Sequence, residues 1–138
     1  MKRYEVLDIS GDAGIRAFGR DPEDLFLNAA IGMYSLITNP KTIAPQKNVE
    51  INAKGDSPEA LLVSWLNELI FHFDTYGFIG KVIRIHELKD TLLRSTVTGG
   101  DFDPEKHSRG LLIKAATYHK LRIERKEDHW EADVIFDI

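Results

Sequence analysis

The chain has 138 residues, a net charge of −4 and no cysteine. This length predicts one domain, residues 1–138, that is large enough to bury a core. The absence of cysteine excludes disulfides, thiolate catalysis and zinc–sulfur sites. The net negative charge argues against general electrostatic binding of nucleic acid.

Two amphipathic helices are predicted, and each begins with a capping residue followed by proline. Asp21 suits the N-cap of the first helix, with Pro22 at the first helical position, and Asn39-Pro40 ends this helix. Ser57-Pro58 opens the second helix, whose apolar stripe contains Trp65. Both stripes are wide enough to bury one face against a sheet or another helix.

Alternating and β-branched segments predict the remaining elements as strands. The predicted strands are residues 4–8, 15–18, 47–54, 78–88, 92–98, 111–116, 121–127 and 130–136. A hairpin turn is expected at residues 126–129, and a turn at residues 77–81. This order of elements predicts an α+β fold, with mainly antiparallel β-sheets and two principal helices packed on one face.

The first segment with candidate chemistry is Asp8-Ile9-Ser10-Gly11-Asp12-Ala13-Gly14. Its two acids are four residues apart, and its glycines allow a tight turn and the close approach of a ligand. An ordinary Asx-type turn and part of a cation site are both compatible with this pattern. An EF-hand loop is not, because the repeated acidic spacing and the distal Glu are absent.

The second segment is the run from Glu131 to Ile138, which stays apolar to its last residue. We expect this end to be packed, which would hold the Asp137 side chain beside the main-chain carboxylate of Ile138. Oxygen atoms held so close together need a cation or strong hydrogen-bond donors. The alternative is a strand end whose carboxylates face water.

The third segment joins residues 100–107 to residues 114–119. A short helical turn is expected near Asp103-Pro104-Glu105. His107 and His119 are candidate metal ligands or general bases, but the lack of cysteine and of a His-x-x-x-His spacing argues against zinc.

No apolar run approaches the roughly 18 to 20 residues of a membrane span. The start, Met1 to Val6, carries positive charge but lacks the apolar core and cleavage site of a signal peptide. We therefore expect a cytoplasmic protein with no membrane partner.

Taken in order, these segments resemble the archease family of small proteins, which assist the RtcB-type RNA ligase of tRNA splicing. The family's opening Asp-His-Thr-Ala-Asp-x-Gly motif corresponds to residues 8–14, with Ile9 at the position of the His. The other matching segments are Phe18-Gly19, Trp65-Leu66-Asn67-Glu68-Leu69, Lys114-Ala115-Ala116-Thr117-Tyr118-His119 and Val134-Ile135-Phe136-Asp137-Ile138.

This resemblance implies a divalent metal site whose ligands are Asp12, Asp137 and the carboxylate of Ile138. Such oxygen ligands suit calcium, magnesium or manganese better than zinc. The resemblance also implies an accessory protein, not an enzyme, that promotes guanylylation and multiple turnover of the ligase and meets RNA through the ligase. Asp8, Lys114 and His119 are then candidate contacts to the partner or to a nucleotide.

Two other functions are compatible with the residues. Clustered carboxylates with a cation could activate water, as in a metal-dependent phosphoester hydrolase. A chaperone-like interaction module is the other alternative, and it would bind unrelated clients without metal.

Overall fold

The computed structural model describes all residues, Met1 to Ile138, and contains two α-helices and eight β-strands. The helices are α1 (Pro22–Ile37) and α2 (Pro58–Tyr76), and a 3-10 turn, Pro40–Thr42, follows α1. The strands are β1 (Tyr4–Leu7), β2 (Ala13–Gly19), β3 (Lys47–Lys54), β4 (Phe78–Lys89), β5 (Leu92–Asp101), β6 (Ala115–Ala116), β7 (Arg122–Arg125) and β8 (Trp130–Asp137).

The predicted helix starts are confirmed by their capping hydrogen bonds. The Asp21 side chain accepts from the backbone N–H of Asp24 at 2.8 Å, and the Ser57 hydroxyl accepts from that of Ala60 at 3.1 Å. These bonds satisfy N–H groups that have no partner inside a helix. At the other end of α2, Gly77 takes a left-handed conformation with a φ of 69°, which a residue without a Cβ adopts at little cost.

The strands form two antiparallel sheets. The larger sheet has the order β1-β2-β8-β6, with β7 also paired to β8, and the smaller has the order β3-β5-β4. The strand β8 is therefore flanked on both sides, by β2 along one edge and by β6 and β7 along the other. The α+β class predicted from the sequence is confirmed.

One hydrophobic cluster of 28 buried residues includes members of both helices and both sheets. Trp65 of α2 is fully buried in it and donates its indole N–H to the carbonyl of Phe26 in α1 at 3.1 Å. In the larger sheet, Ile15 and Val134 lie opposite each other and face this core. The alternate residues Arg16 and Asp133 are also paired, and they lie on the outward face.

The predicted strand at residues 111–116 is mostly wrong, because only Ala115–Ala116 joins a sheet. The preceding N–H groups of Gly110 and Leu111 donate instead to the carbonyls of Ile37 and Leu36, each at 2.8 Å. Hydrogen bonds to the end of α1 thus hold the start of this segment away from the sheet.

Several other strand boundaries differ from prediction by one to three residues, and two turns are confirmed. The turn expected at residues 77–81 is only Gly77, since β4 begins at Phe78, and β7 is shorter than the predicted 121–127. The hairpin turn is present, with the N–H of Lys126 donating to the carbonyl of His129 at 2.7 Å. At the turn after Asp103, the N–H of His107 donates to the Asp103 carbonyl at 2.8 Å. No helix has both the length and the apolar character that crossing a membrane requires.

Candidate functional site

The pairing of β2 with β8 brings the early aspartate to the last residues of the chain. Ala13 is paired with Phe136, so Asp12 and Asp137 are the next residues outward on these two strands. Both are exposed, and Ile138 follows directly. We call the side chains of Asp12 and Asp137, together with the terminal carboxylate of Ile138, the acidic edge.

No positive side chain forms an ion pair with the acidic edge. None of its carboxylates takes part in an ion pair. Neighbouring carboxylates without cationic partners repel one another, and a hard divalent cation is the ligand that such oxygen atoms suit. The donor chemistry therefore fits the expected metal, although no three His, Asp or Glu side chains are grouped to hold one by themselves.

Two of the other predicted contact residues lie at the same end of the sheet. Leu7 is paired with Gly14, and Asp8 is the next residue outward on β1. On the opposite side of β8, Ala115 is paired with Asp137, and the N–H of Lys114 donates to the Asp137 carbonyl at 2.8 Å. Four strand ends thus place Asp8, Asp12, Lys114 and Asp137 at one end of the larger sheet.

His119 lies apart from this end of the sheet. It follows β6, is exposed, and its N–H donates to the Thr117 hydroxyl at 3.3 Å. Thr117 is in turn bonded to the carbonyl of Ile135, further from the acidic edge along β8. His107, the other candidate histidine, has a local structural role, since its Nδ1 accepts from the N–H of Asp103 at 2.8 Å.

The outward face of the same sheet carries a charge network that the sequence did not predict. Asp133 accepts from Arg16 at 2.8 Å and from Arg122 at 2.9 Å, and Arg122 also donates to Glu131 at 2.8 Å. The Nε2 atom of His129 lies 2.9 Å from the other oxygen of Glu131. Only the pairing of β8 with β2 and β7 brings these residues together, and residue spacing alone does not reveal that pairing.

The network shifts the pKa values of its members. Burial on its own would raise the pKa of Asp133, but the hydrogen bonds from Arg16 and Arg122 outweigh it and lower this pKa. Hydrogen bonds to Glu131 and Asp128 raise the pKa of His129 above its usual value. At neutral pH the carboxylates of the network are therefore ionised.

Ile9 stands where the resemblance leads one to expect a histidine, and its side chain covers a glycine. A Cβ on Gly14 would lie 2.7 Å from Cδ1 of Ile9, so Ile9 occupies the space that a side chain at residue 14 would need. Because Gly14 is opposite Ile135, this apolar contact separates the acidic edge from the charge network.

Residues 4–138 match the model of the archease protein family. Protein archease of Methanopyrus kandleri is 32% identical over 138 residues, covering 98% of this chain and 99% of that protein.

Two solved structures are similar. The solution structure of protein 1598 of Methanobacterium thermoautotrophicum has a TM-score of 0.79 and 34% identity, with complete coverage of both chains. The crystal structure of an archease of Thermotoga maritima, described as a possible chaperone, has a TM-score of 0.67 and 22% identity. The match covers 96% of this chain and 94% of the Thermotoga maritima chain. At 22% identity, this similarity supports the fold alone.

Proposed function

Because the chain belongs to the archease family, we propose that it is an accessory protein that activates an RtcB-type RNA ligase and is not itself an enzyme. In this role it promotes guanylylation of the ligase and allows multiple turnover. The acidic edge is the observation that carries the proposal, because its exposed carboxylates have no ion-pair partner and a bound cation would offset their negative charge.

The residues that would hold a calcium, magnesium or manganese ion are Asp12, Asp137 and the terminal carboxylate of Ile138. When bound, such an ion supplies positive charge that can orient a phosphate group of a nucleotide. Asp137 is the last residue of β8 and Asp12 immediately precedes β2, so the pairing of Ala13 with Phe136 brings the two aspartates to the same end of the sheet. A site next to paired strands suits presentation to a partner.

Charge supports docking to the ligase. The chain has a net charge of −4, and acidic surface favours association with a basic RNA-binding partner. Lys114, which adjoins the acidic edge, and Asp8 are proposed contacts to the ligase or its nucleotide, and His119 is a more distant one. In this proposal the protein contacts RNA through the ligase and not directly.

The test replaces each carboxylate by its neutral amide. Asp12→Asn and Asp137→Asn should each abolish stimulation, measured as ligated RNA per ligase molecule with GTP and metal present. Calorimetric titration of the isolated protein with Ca²⁺ or Mn²⁺ should show affinity lost in the same variants. Asp90→Asn, at the exposed turn between β4 and β5, is the matched control and should change neither measurement.

Extension of the chain beyond Ile138 tests the main-chain carboxylate. A short Gly-Ser tail removes this carboxylate from its place while leaving both aspartates intact. Unchanged metal affinity and unchanged ligase stimulation in the extended protein would contradict the proposed ligand set. If instead the unmodified protein never raises ligation above a single turnover, the activator role itself is wrong.

A chaperone-like module is the second candidate, and exposed apolar side chains favour it. Phe71, Tyr76, Leu112 and Tyr118 are between 53% and 68% exposed, and the similar Thermotoga maritima protein is described as a possible chaperone. Exposed apolar surface often marks interaction sites. Suppression of the aggregation of several unrelated proteins, without metal, would support this candidate over ligase activation.

A further inference from the structure

A second feature of the molecule lies away from the acidic edge and shares no residue with it. A cavity of about 600 Å³ opens between the end of α1, the start of β4 and the segment at residues 108–110. We call it the basic cavity. Its volume falls in the range of roughly 300 to 1,000 Å³ that is typical of small-molecule sites.

All the charged side chains that line the basic cavity are positive. Arg3, Lys41, Lys81 and Arg109 line it, and no Asp or Glu does, although the chain as a whole is acidic. None of these four side chains forms an ion pair. Like charges around one concave surface repel one another, and an anion bound among them removes that repulsion.

A buried hydroxyl without a partner lies at the same cavity. Tyr34 lines it, is 1% exposed, and its hydroxyl makes no hydrogen bond. The ring packs against Gly80, where a Cβ would lie 2.9 Å from Cε2 of the tyrosine. Burying a hydroxyl without a hydrogen-bond partner costs free energy, and most buried hydroxyl groups in proteins have such a partner.

The Tyr34 hydroxyl remains a hydrogen-bond donor at neutral pH. Burial raises its pKa well above the ordinary value, and the nearby backbone of Gly80 offsets only part of this rise. The hydroxyl oxygen is shielded from solvent, so it makes no direct contact with a molecule in the cavity.

Nearby carbonyl groups that would repel an anion are already engaged. The carbonyls of Ile37 and Leu36, at the end of α1, accept from the N–H groups of Gly110 and Leu111, and the Ser108 carbonyl accepts from the Thr38 hydroxyl at 2.6 Å. Lys81 donates to the carbonyl of Ile43 at 2.8 Å, which holds its ammonium group in a fixed position.

From these observations we infer that the basic cavity binds the phosphate group of a small phosphorylated molecule. The arginine and lysine side chains hold the phosphate oxygens. Ile31, Val82 and Ile83 provide apolar surface in the same cavity for the organic part of the ligand. This site is independent of the proposed metal site and of ligase activation.

Titration of the full-length protein with two probes tests the inference. The probes are inorganic phosphate and phenyl phosphate, followed by calorimetry and by chemical-shift changes of backbone amides at constant ionic strength. Both should bind, and phenyl phosphate should bind more tightly because its ring adds apolar contact. Shift changes should concentrate at residues 34–41, 80–83 and 108–110.

Variants of the lining residues assign the binding to named groups. Tyr34→Phe removes only the shielded hydroxyl, so it should leave phosphate binding unchanged and the unliganded protein equally or more stable. Lys41→Gln and Arg109→Gln should each weaken binding by about fivefold to tenfold. Arg125→Gln removes an exposed cation that does not line the cavity, and it should bind as the unmodified protein does.

Each contrary result overturns the inference. It fails if neither probe binds at millimolar concentration, or if the shift changes fall elsewhere on the surface. It also fails if Arg125→Gln weakens binding as much as Arg109→Gln, because the anion is then attracted only by general charge. Equal affinity for the two probes would limit the site to free phosphate and contradict the organic ligand.

Discussion

At the scale of single residues, Asp133 is the centre of the charge network on the larger sheet. It lies between two arginines from two different strands, Arg16 of β2 and Arg122 of β7. Its side chain is 15% exposed, so these contacts are partly shielded from water. Removing one member of such a network leaves the others without full compensation.

Replacement of Asp133 by asparagine should destabilise the protein by about 1 to 2 kcal/mol at neutral pH. The pKa of Asp133 is lowered in the folded protein, so its contribution is present above the unfolded value of about 3.9 and is lost as the pH falls through the folded pKa. Urea unfolding at several pH values should show that the difference in unfolding free energy between the wild type and the variant disappears in acid. Glu127→Gln, an exposed acid without an ion pair, is the control; an equal loss there would contradict the role of the network.

The same network sets the charge of His129. Its pKa is raised mainly by hydrogen bonding to Glu131, so Glu131→Gln should lower the pKa of His129 towards about 6.5. A raised folded-state pKa means that the contact stabilises the protein below the unfolded pKa and that this stabilisation is lost as the pH rises through the folded pKa. A proton NMR titration of the His129 ring measures the shift. An unchanged pKa would show that Glu131 is not the dominant partner.

At the scale of elements, the two-residue strand β6 depends on a side chain of α2. The Asn67 side chain donates to the carbonyl of Ala116 at 3.2 Å and accepts from its N–H at 2.8 Å. A strand of two residues has little stability of its own. Asn67 therefore holds β6 beside β8, and with it the position of Lys114 relative to Asp137.

Substitution of Asn67 by alanine should release β6. We expect a loss of about 2 kcal/mol, because two hydrogen bonds disappear and backbone groups of Ala116 lose their partner. Hydrogen exchange of the Ala116 and Lys114 amides should become faster, and ligase stimulation should fall if Lys114 is a contact. Ser64→Ala on the same helix is the control. Unchanged exchange at Ala116 would show that β8 alone holds the strand.

The helices and the acidic segments were predictable from the sequence, whereas the pairing between distant strands was not. Capping residues such as Asp21 and Ser57 act within three residues of their partners, so a local pattern reveals them. The network of Arg16 with Asp133 depends on a pairing between the two ends of the chain, for which local spacing carries no signal. The segment before β6 was mispredicted for a related reason, since its hydrogen bonds go to the distant end of α1.

At the scale of the whole molecule, the two sheets and two helices share one hydrophobic cluster. Trp65 lies within it and links the helices through its hydrogen bond to Phe26. Loss of packing around Trp65 should therefore destabilise both sheets, because protein interiors are close-packed and transmit strain.

Replacement of Trp65 by phenylalanine should lower the free energy of unfolding by about 3 kcal/mol, through a cavity and a lost hydrogen bond. Amide signals from the larger and the smaller sheet should disappear at the same urea concentration, as the predicted single domain requires. Val82→Ala, at a side chain that is 54% exposed, is the control and should cost far less. Separate transitions for the two sheets would contradict the single-domain prediction.

The pairing of β2 with β8 also has a consequence during synthesis on the ribosome. The strand β2 ends at Gly19, yet its partner begins only at Trp130, so the hairpin of β1 and β2 must wait for the intervening residues. At roughly 5 to 20 residues per second this delay is on the order of ten seconds. Throughout it, one edge of the nascent hairpin offers unpaired N–H and carbonyl groups to other chains, so translation speed becomes a factor in how much of this protein escapes aggregation.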